Sequence, residues 1–269
     1  MISATTVLCI SIAEKPGTFG SLFHNRAYEM LGLDQVYIPR KVEAKKLEST
    51  IASVRALGIK GCSVSMPHKV EVMQYLDSFD SSASNVGAVN TIVRQGDGTL
   101  KGYNTDYYGA KKALEENADV AGKDVLMIGA GGAANAIGQA VKDLGGNLSI
   151  ANRTEEKAKE LADKLGAKTI AWGDLTSSKG YLLINATSIG MKDSDTMVVS
   201  KETLSNFEVV MDVVISPPKP KLIQESEALG KKTIPGTYMC TYQAAEQVKL
   251  YTGQDAPEEL IKKTLEEFA

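Results

Sequence analysis

The stretch "VLMIGAGGAANAIGQAV", residues 125–141, constrains the fold more than any other part of the chain. An apolar run enters a glycine turn, and a helical pattern follows at once. Gly129, Gly131 and Ala134 fit G-x-G-x-x-G/A. Glycine there permits a tight turn and lets a pyrophosphate approach the helix amino terminus, where unpartnered N–H groups point outward. A turn of purely structural purpose is the competing reading. The next apolar segment, "NLSIANR" (147–153), supplies the second strand that a dinucleotide site requires.

The end of that second strand bears on the cofactor. In NAD sites an acid usually stands there and accepts hydrogen bonds from the ribose. This strand ends instead in Asn152, Arg153 and Thr154. An acid repels a 2'-phosphate, whereas an arginine pairs with it through charge-assisted hydrogen bonds. Such a bond contributes about 1.5–3 kcal/mol, roughly ten- to a hundredfold in affinity. NADP is therefore expected over NAD; a solvated Arg153 is the alternative. Lys157, one turn into the following helix, adds positive charge or is plain surface.

Elsewhere, apolar runs alternate with helical patterns, as in an α/β protein. Strands are expected at 6–13, 35–42, 59–65 and 87–94, with helices at 18–31, 43–57 and 68–76. A second series of strands covers 124–131, 147–153, 168–172, 181–187, 209–214 and 232–235. Helices at 238–252 and 256–268 close the chain. Asp255 with Glu258 suggests a capping box for the last one, whose Ile261, Leu265 and Phe268 share a face. The 269 residues suffice for one large domain or two of ordinary size.

Composition removes several function classes. The net charge of -3 gives no basic excess for a nucleic-acid backbone. No apolar run reaches the roughly 18 residues of a membrane span, and "MISATTVLCISIAEK" reads as a first strand rather than a signal peptide. Cys9, Cys62 and Cys240 are odd in number and far apart, and the chain holds only His24 and His68. A disulfide framework and a metal centre are thus not expected, and a reducing cytoplasm is.

Two further stretches carry chemistry. "GCSVSMPHK" (61–69) brings Lys69 to the mouth of a buried strand, as a solvated helix start or as half of a proton-transfer pair. "GAVNTIVRQGDGTLKGYNTDYYGA" (87–110) has a Gly-Asp-Gly hairpin turn flanked by two Asn-Thr pairs, the second followed by Asp106. Asp106 stands where a strand gives way to a helix, so an N-cap role competes with a chemical one.

In order along the chain, "SVSMPHK", "GAVNTI", "GYNTD", "GAGGAA", "NRT" and "NATSIGM" resemble the motifs of the shikimate dehydrogenase family. The resemblance covers nearly the whole chain. It implies an α/β protein of two domains. An N-terminal substrate domain, residues 1–105, is completed by the C-terminal helices, 238–269. A Rossmann domain for NADP spans 106–237. It implies that Lys69 and Asp106 bind the hydroxyl that is oxidised, with Lys69 relaying the proton and Asp106 orienting it. Thr18, Ser65, Asn90, Asn104 and Gln243 fall on substrate positions, with Asn104 ordering the Asp106 loop or touching substrate. On the cofactor side it adds Gly132 and Ala133 to the glycine turn, then Thr187, Ser188 and Met191, and Gly236 and Met239 near the nicotinamide. Met191 and Met239 could equally be core residues.

The family pattern frays on the substrate side. Where S-x-S-P-x-x-H-N is usual, the chain reads "TFGSLFHN", so Thr18 keeps one hydroxyl, Gly20 loses the other and Ser21 replaces the proline. Weaker shikimate binding is expected unless Ser21 or Lys15 substitutes. In "DVVISPP", Ile215 takes the place of a tyrosine. The expected activity is an NADP-dependent oxidoreductase for a cyclic hydroxy acid, shikimate or a close analogue, working as a monomer or homodimer without nucleic acid or membrane. An NAD-preferring quinate/shikimate enzyme and a non-catalytic NADP-binding sensor are the rivals.

Overall fold

The computed structural model describes residues 2–193 and 195–267. The chain divides into two compact units, one of Met1–Thr105 with Gln243–Thr264, the other of Asp106–Tyr242 with the tail from Leu265.

The first unit holds a mixed six-stranded sheet. Its strands are β1 (Val7–Ala13), β2 (Gln35–Lys41), β3 (Gly61–Val64), β4 (Ser78–Phe79), β5 (Thr91–Arg94) and β6 (Leu100–Tyr103), in the order β2-β1-β3-β5-β6-β4. β1 runs parallel to β2 and β3, while β5 is antiparallel to both β3 and β6. Side chains alternate across the pleat, so each face gathers its own core. Ile10 and Ile12 join Leu47, Ile51, Val64 and Ile92 on one side. Cys9 joins Tyr28, Tyr37, Val93 and Tyr251 on the other. Gly61 makes room for that second cluster, since a Cβ there would stand 2.4 Å from the Tyr251 ring.

Helices α1 (Phe19–Met30) and α2 (Leu47–Ala56) follow β1 and β2. Asn25 docks α1 on β2 by a two-way bond: its amide donates to Tyr37 O and accepts from Tyr37 N, at 2.9 and 2.8 Å. The strand expected at 87–94 is shorter. Asp80 caps a helix, α3 (Ser81–Val86), by accepting from Ser82 N, and Gly87 ends it at φ 70°. Gly87 thus belongs to the helix end, and 88–90 form a loop in which Val89 N donates to Lys69 O, so β5 starts only at Thr91. The helix expected at 68–76 is a turn followed by a 3-10 helix, Glu71–Tyr75. The Gly-Asp-Gly hairpin forms as read, with Arg94 opposite Leu100.

The second unit is built on an all-parallel sheet: β7 (Asp124–Ile128), β8 (Asn147–Ala151), β9 (Lys168–Thr169), β10 (Leu182–Asn185), β11 (Val209–Asp212) and β12 (Lys232–Ile234). The order β12-β11-β10-β7-β8-β9 makes β7 the central start, with the chain winding outward first through β8 and β9, then through β10 to β12. That is the doubly wound dinucleotide-binding topology, whose direction reverses between β7 and β10. Its helices are α4 (Thr105–Asn117), α5 (Gly132–Asp143), α6 (Glu155–Leu165), α7 (Lys201–Ser205) and α8 (Lys221–Ala228). Gly138 in α5 has no room for a Cβ, which would meet Leu165 at 2.5 Å, so α5 and α6 pack closely there.

Two helices close the chain, α9 (Gly236–Thr252) and α10 (Glu258–Glu267). α10 starts after Pro257, whose carbonyl accepts from Ile261 N. Asp255 therefore does not cap it; its carboxylate pairs with Lys249 at 2.9 Å. Phe268, expected on the buried face of this helix, lies outside the described residues.

Candidate functional site

In the first unit the candidate substrate residues collect at one end of the sheet. β1 and β3 end there, β5 begins there and β6 ends there. Ser65 follows β3, and its N–H donates to Ile12 O at the end of β1. The loop from Ser65 to Lys69, whose Met66–Pro67 peptide is cis, is held from beneath. His68 is fully buried and its Nε2–H donates to Val42 O at 2.9 Å, while the Lys69 carbonyl accepts from Val89 N at 2.8 Å. Lys69 is thus fixed at its backbone and half-buried along its side chain.

Asn90 precedes β5 and is the hub of a buried network. Its Oδ1 accepts from Thr91 Oγ1 (2.8 Å) and from Thr105 N (2.7 Å), and its Nδ2 faces Gln243 Oε1 at 3.5 Å. Gln247 Nε2 donates to Thr91 Oγ1 at 2.8 Å, and Ser63 Oγ donates to Gln247 Oε1 at 3.0 Å. Tyr37 and Tyr251 then reach Ser63 Oγ at 2.7 and 3.0 Å. A serine hydroxyl has one proton and two lone pairs. Having given its proton to Gln247, Ser63 accepts from both tyrosines. Thr91 and Thr105 stand in the sequence only as members of the two Asn-Thr pairs, and nothing in the sequence points to Ser63 or Gln247.

Asn104 is buried and donates to Ala88 O at 2.9 Å, which ties the chain entering α4 to the loop before β5. Asp106 is half-buried and lies second in α4, past the N-cap position. A carboxylate in the first turn of a helix is favoured by the helix dipole.

Thr18 precedes α1 and is exposed. Ser21 donates its hydroxyl to Thr18 O at 2.8 Å, so that proton is engaged within the helix start. At Gly20 a Cβ would stand 3.3 Å from the Tyr37 hydroxyl. His24 is buried against Tyr37, rings stacked at 4.2 Å, and its Nδ1–H donates to Gly20 O at 2.7 Å. Its Nε2 has no partner, so a second proton there would be buried without an acceptor. Burial accordingly lowers its pKa to about 4.

In the second unit the candidate cofactor residues lie where parallel strands end. Gly129 has φ 122°, and a Cβ on it would meet Ala186 O at 2.7 Å, so only glycine fits. Gly131 and Gly132 differ: both are exposed, and a Cβ on either meets nothing within 4 Å. The space beside them is open to a ligand. The first-turn N–H groups of α5, from Gly132, Ala133 and Ala134, lack intrahelical acceptors, and Gly131 caps the helix without a side-chain bond, so they are donors of the kind that bind anions. Asn152 donates to Thr154 O at 2.8 Å. Arg153 is exposed and makes no hydrogen bond or ion pair among the described residues. Thr154 precedes α6 without a side-chain capping bond, and Lys157 is exposed one turn on. An open glycine cradle followed by a free guanidinium fits a phosphorylated dinucleotide.

The loop after β10 is pinned by Asn185, whose Oδ1 accepts from Thr187 N and Oγ1 at 3.1 and 2.7 Å. Ser188 and Met191 are exposed beyond it, Met191 at 43%. Gly236 approaches the turn after β11 so closely that a Cβ would meet Val213 O at 2.7 Å. Met239 is only 7% exposed and belongs largely to the interior, unlike Met191. Among the described residues no group of three or more His, Cys, Asp or Glu could hold a metal ion.

Comparison with known proteins follows the same division. Family models match over residues 18–92 (shikimate dehydrogenase substrate binding domain), 110–219 (shikimate / quinate 5-dehydrogenase) and 236–266 (shikimate 5'-dehydrogenase C-terminal domain). The chain belongs to the shikimate dehydrogenase family. A Pyrococcus abyssi relative, shikimate dehydrogenase (NADP(+)), is 39% identical over 90% of each chain. A shikimate dehydrogenase-like protein of Haemophilus influenzae is 38% identical over 97% of this chain and 96% of its own. A solved shikimate dehydrogenase in complex with NADP+ superposes with a TM-score of 0.89 at 37% identity, covering 100% of this chain and 98% of its own. That superposition spans both sheets and all three matched regions of this chain.

Proposed function

We infer that the protein is an NADP-dependent oxidoreductase that interconverts shikimate, or a ring acid close to it, and the 3-dehydro ketone. The observation that carries this reading is the open glycine cradle at Gly131–Gly132 followed by an unpaired Arg153, within a chain of this family. NADP, when bound, supplies the hydride acceptor. Arg153 and Thr154 hold the 2'-phosphate, and the first turn of α5 holds the pyrophosphate.

On the substrate side, Lys69 in its neutral amine form takes the proton that the carbinol oxygen loses as its carbon is oxidised, and the ammonium so formed returns it in the reverse direction. Asp106 orients the hydroxyl and the lysine head. Ser65, Asn90 and Gln243 contact the ring hydroxyls, and Thr18 the carboxylate. Asn104 acts by ordering the chain before Asp106. We assign the enzyme to a reducing cytoplasm, in keeping with free Cys9, Cys62 and Cys240. Among the described residues no helix is long and apolar enough to cross a membrane. It works as a monomer or homodimer, which sedimentation distinguishes.

The direct test mixes pure protein with NADP and shikimate, then quinate, and follows the NADPH absorbance band. Turnover with NADP on shikimate or quinate is expected. Cofactor binding with no turnover on any ring acid would favour a sensor and overturn the reading.

A further inference from the structure

We propose that Asp212 is a positioning residue for the cofactor loop: as a hydrogen-bond acceptor it fixes the orientation of the Asn185 amide, and that amide sets the loop Thr187–Met191. β10 and β11 lie side by side, with Asn185 opposite Asp212 at their carboxyl ends. Both residues are buried, at 1% and 0% exposure. Asn185 Nδ2 donates to Asp212 Oδ1 at 3.0 Å and to Ile189 O at 3.2 Å. Its Oδ1 accepts from Thr187 N and Oγ1, and Thr187 Oγ1 in turn accepts from Ile189 N at 3.1 Å.

An amide has two faces, and only one orientation satisfies this set. Turned over, Asn185 would present its NH2 to the Thr187 N–H and its oxygen to two other oxygens. Asp212 Oδ1 adds an acceptor from outside the loop to the Thr187 N–H and the Ile189 carbonyl, and because it also accepts from Val214 N at 2.9 Å it cannot rotate away without loss. The same oxygen joins the loop after β10 to the turn that leads to Ile215. Both loops emerge at the carboxyl edge of a doubly wound sheet, where ligands bind.

The other carboxyl oxygen supports a role that does not use charge. Asp212 Oδ2 is buried without a partner. Burial raises the pKa of this acid to about 7, against the smaller pull of the Val214 N–H and Asn185 bonds. A neutral acid accepts at Oδ1 as an asparagine would. The role rests on the reading that Thr187–Met191 lies against the cofactor.

The test uses the full chain and two measurements, hydrogen–deuterium exchange and NADPH titration by fluorescence. In wild type, NADPH is expected to protect residues 186–191. Asp212→Ala is expected to speed exchange at Thr187 and Ile189 in the cofactor-free protein, with 125–128 still protected. It is also expected to weaken NADPH binding about tenfold, the loss of one well-placed buried bond. Asp212→Asn should lie within about twofold of wild type in both measurements. Asp212→Leu, which keeps the buried volume, should reproduce the alanine result if that variant fails to fold. Wild-type loop exchange and affinity in Asp212→Leu, or an Asp212→Asn as impaired as Asp212→Ala, overturns the role of Asp212. Absence of NADPH protection over 186–191 in wild type overturns the reading of the loop and this role with it.

Discussion

His24 and Asp212 are each buried with one polar atom unpartnered, and they pull stability in opposite directions with pH. The folded pKa of His24, about 4, lies below its ordinary 6.5. The unfolded chain binds the extra proton first, so stability falls as pH drops from about 6.5 towards 4, by about 3 kcal/mol in all. Asp212 behaves inversely: its folded pKa of about 7 lies above the ordinary 3.8, so the native state keeps the proton longer. Stability then falls as pH rises from about 4 to about 7, by about 4 kcal/mol at most. Urea unfolding at several pH values separates the two. The stability advantage of Asp212→Asn over wild type is expected to grow from pH 4 to pH 7 and level off above; an advantage independent of pH would contradict this assignment. The deficit of His24→Asn should shrink as pH falls below 6.5. At Gly20, a serine needs Tyr37 Oη to give way by a few tenths of an ångström from its 3.3 Å contact. Gly20→Ser is expected to lower KM for shikimate roughly three- to tenfold by restoring a hydroxyl for the carboxylate. An unchanged or raised KM would show that position 20 does not face that group.

The glycine turn links element to function, because its glycines serve two ends. Gly129 is required by φ 122° and by the Ala186 carbonyl, whereas Gly131 is required by neither. Gly129→Ala should therefore unfold or strongly destabilise the second unit. Gly131→Ala should cost at most about 1 kcal/mol of stability yet weaken NADPH binding, because its methyl enters the open cradle. Thermal melting with NADPH titration checks the contrast; a Gly131→Ala that binds normally would place the pyrophosphate elsewhere. Elements with a clear period and a clear cap were legible in the sequence: β7–α5 was read from its apolar run and glycines, and the β5–β6 hairpin from Gly-Asp-Gly. The strand expected at 87–94 starts only at Thr91, because Ala88 and Val89 are buried in a loop, with Val89 N donating to Lys69 O, and are apolar for that reason. The helix before that loop is set locally, by the Asp80 cap at one end and Gly87 at the other. The last helix shows the same limit. Asp255 resembled a cap in spacing, but Pro257 starts the helix and Lys249 takes the carboxylate. The buried network around Asn90 is not legible for a different reason: its members come from β2, β3, β5, α4 and α9, and nothing in linear spacing joins Ser63 to Gln247.

At the scale of the whole molecule, departures from the family pattern fall in both units, Gly20 in the first and Ile215 in the second. Both are read as substrate-side, while the glycine turn and Arg153 of the second unit keep the pattern. Arg153→Ala is expected to weaken NADP binding roughly ten- to a hundredfold while leaving NAD affinity nearly unchanged. Equal losses for the two cofactors would mean that Arg153 does not read the 2'-phosphate. In the proposed mechanism the chemistry turns on Lys69, whose backbone the fold anchors through the buried His68 and the Val89 N–H. The decisive measurement is the turnover of Lys69→Met with NADP and the best ring acid, alongside its NADPH affinity. A fall in kcat of about a hundred- to ten-thousandfold, with NADPH binding unchanged, is expected of a proton relay at the alcohol. A variant that keeps wild-type kcat would contradict that role outright.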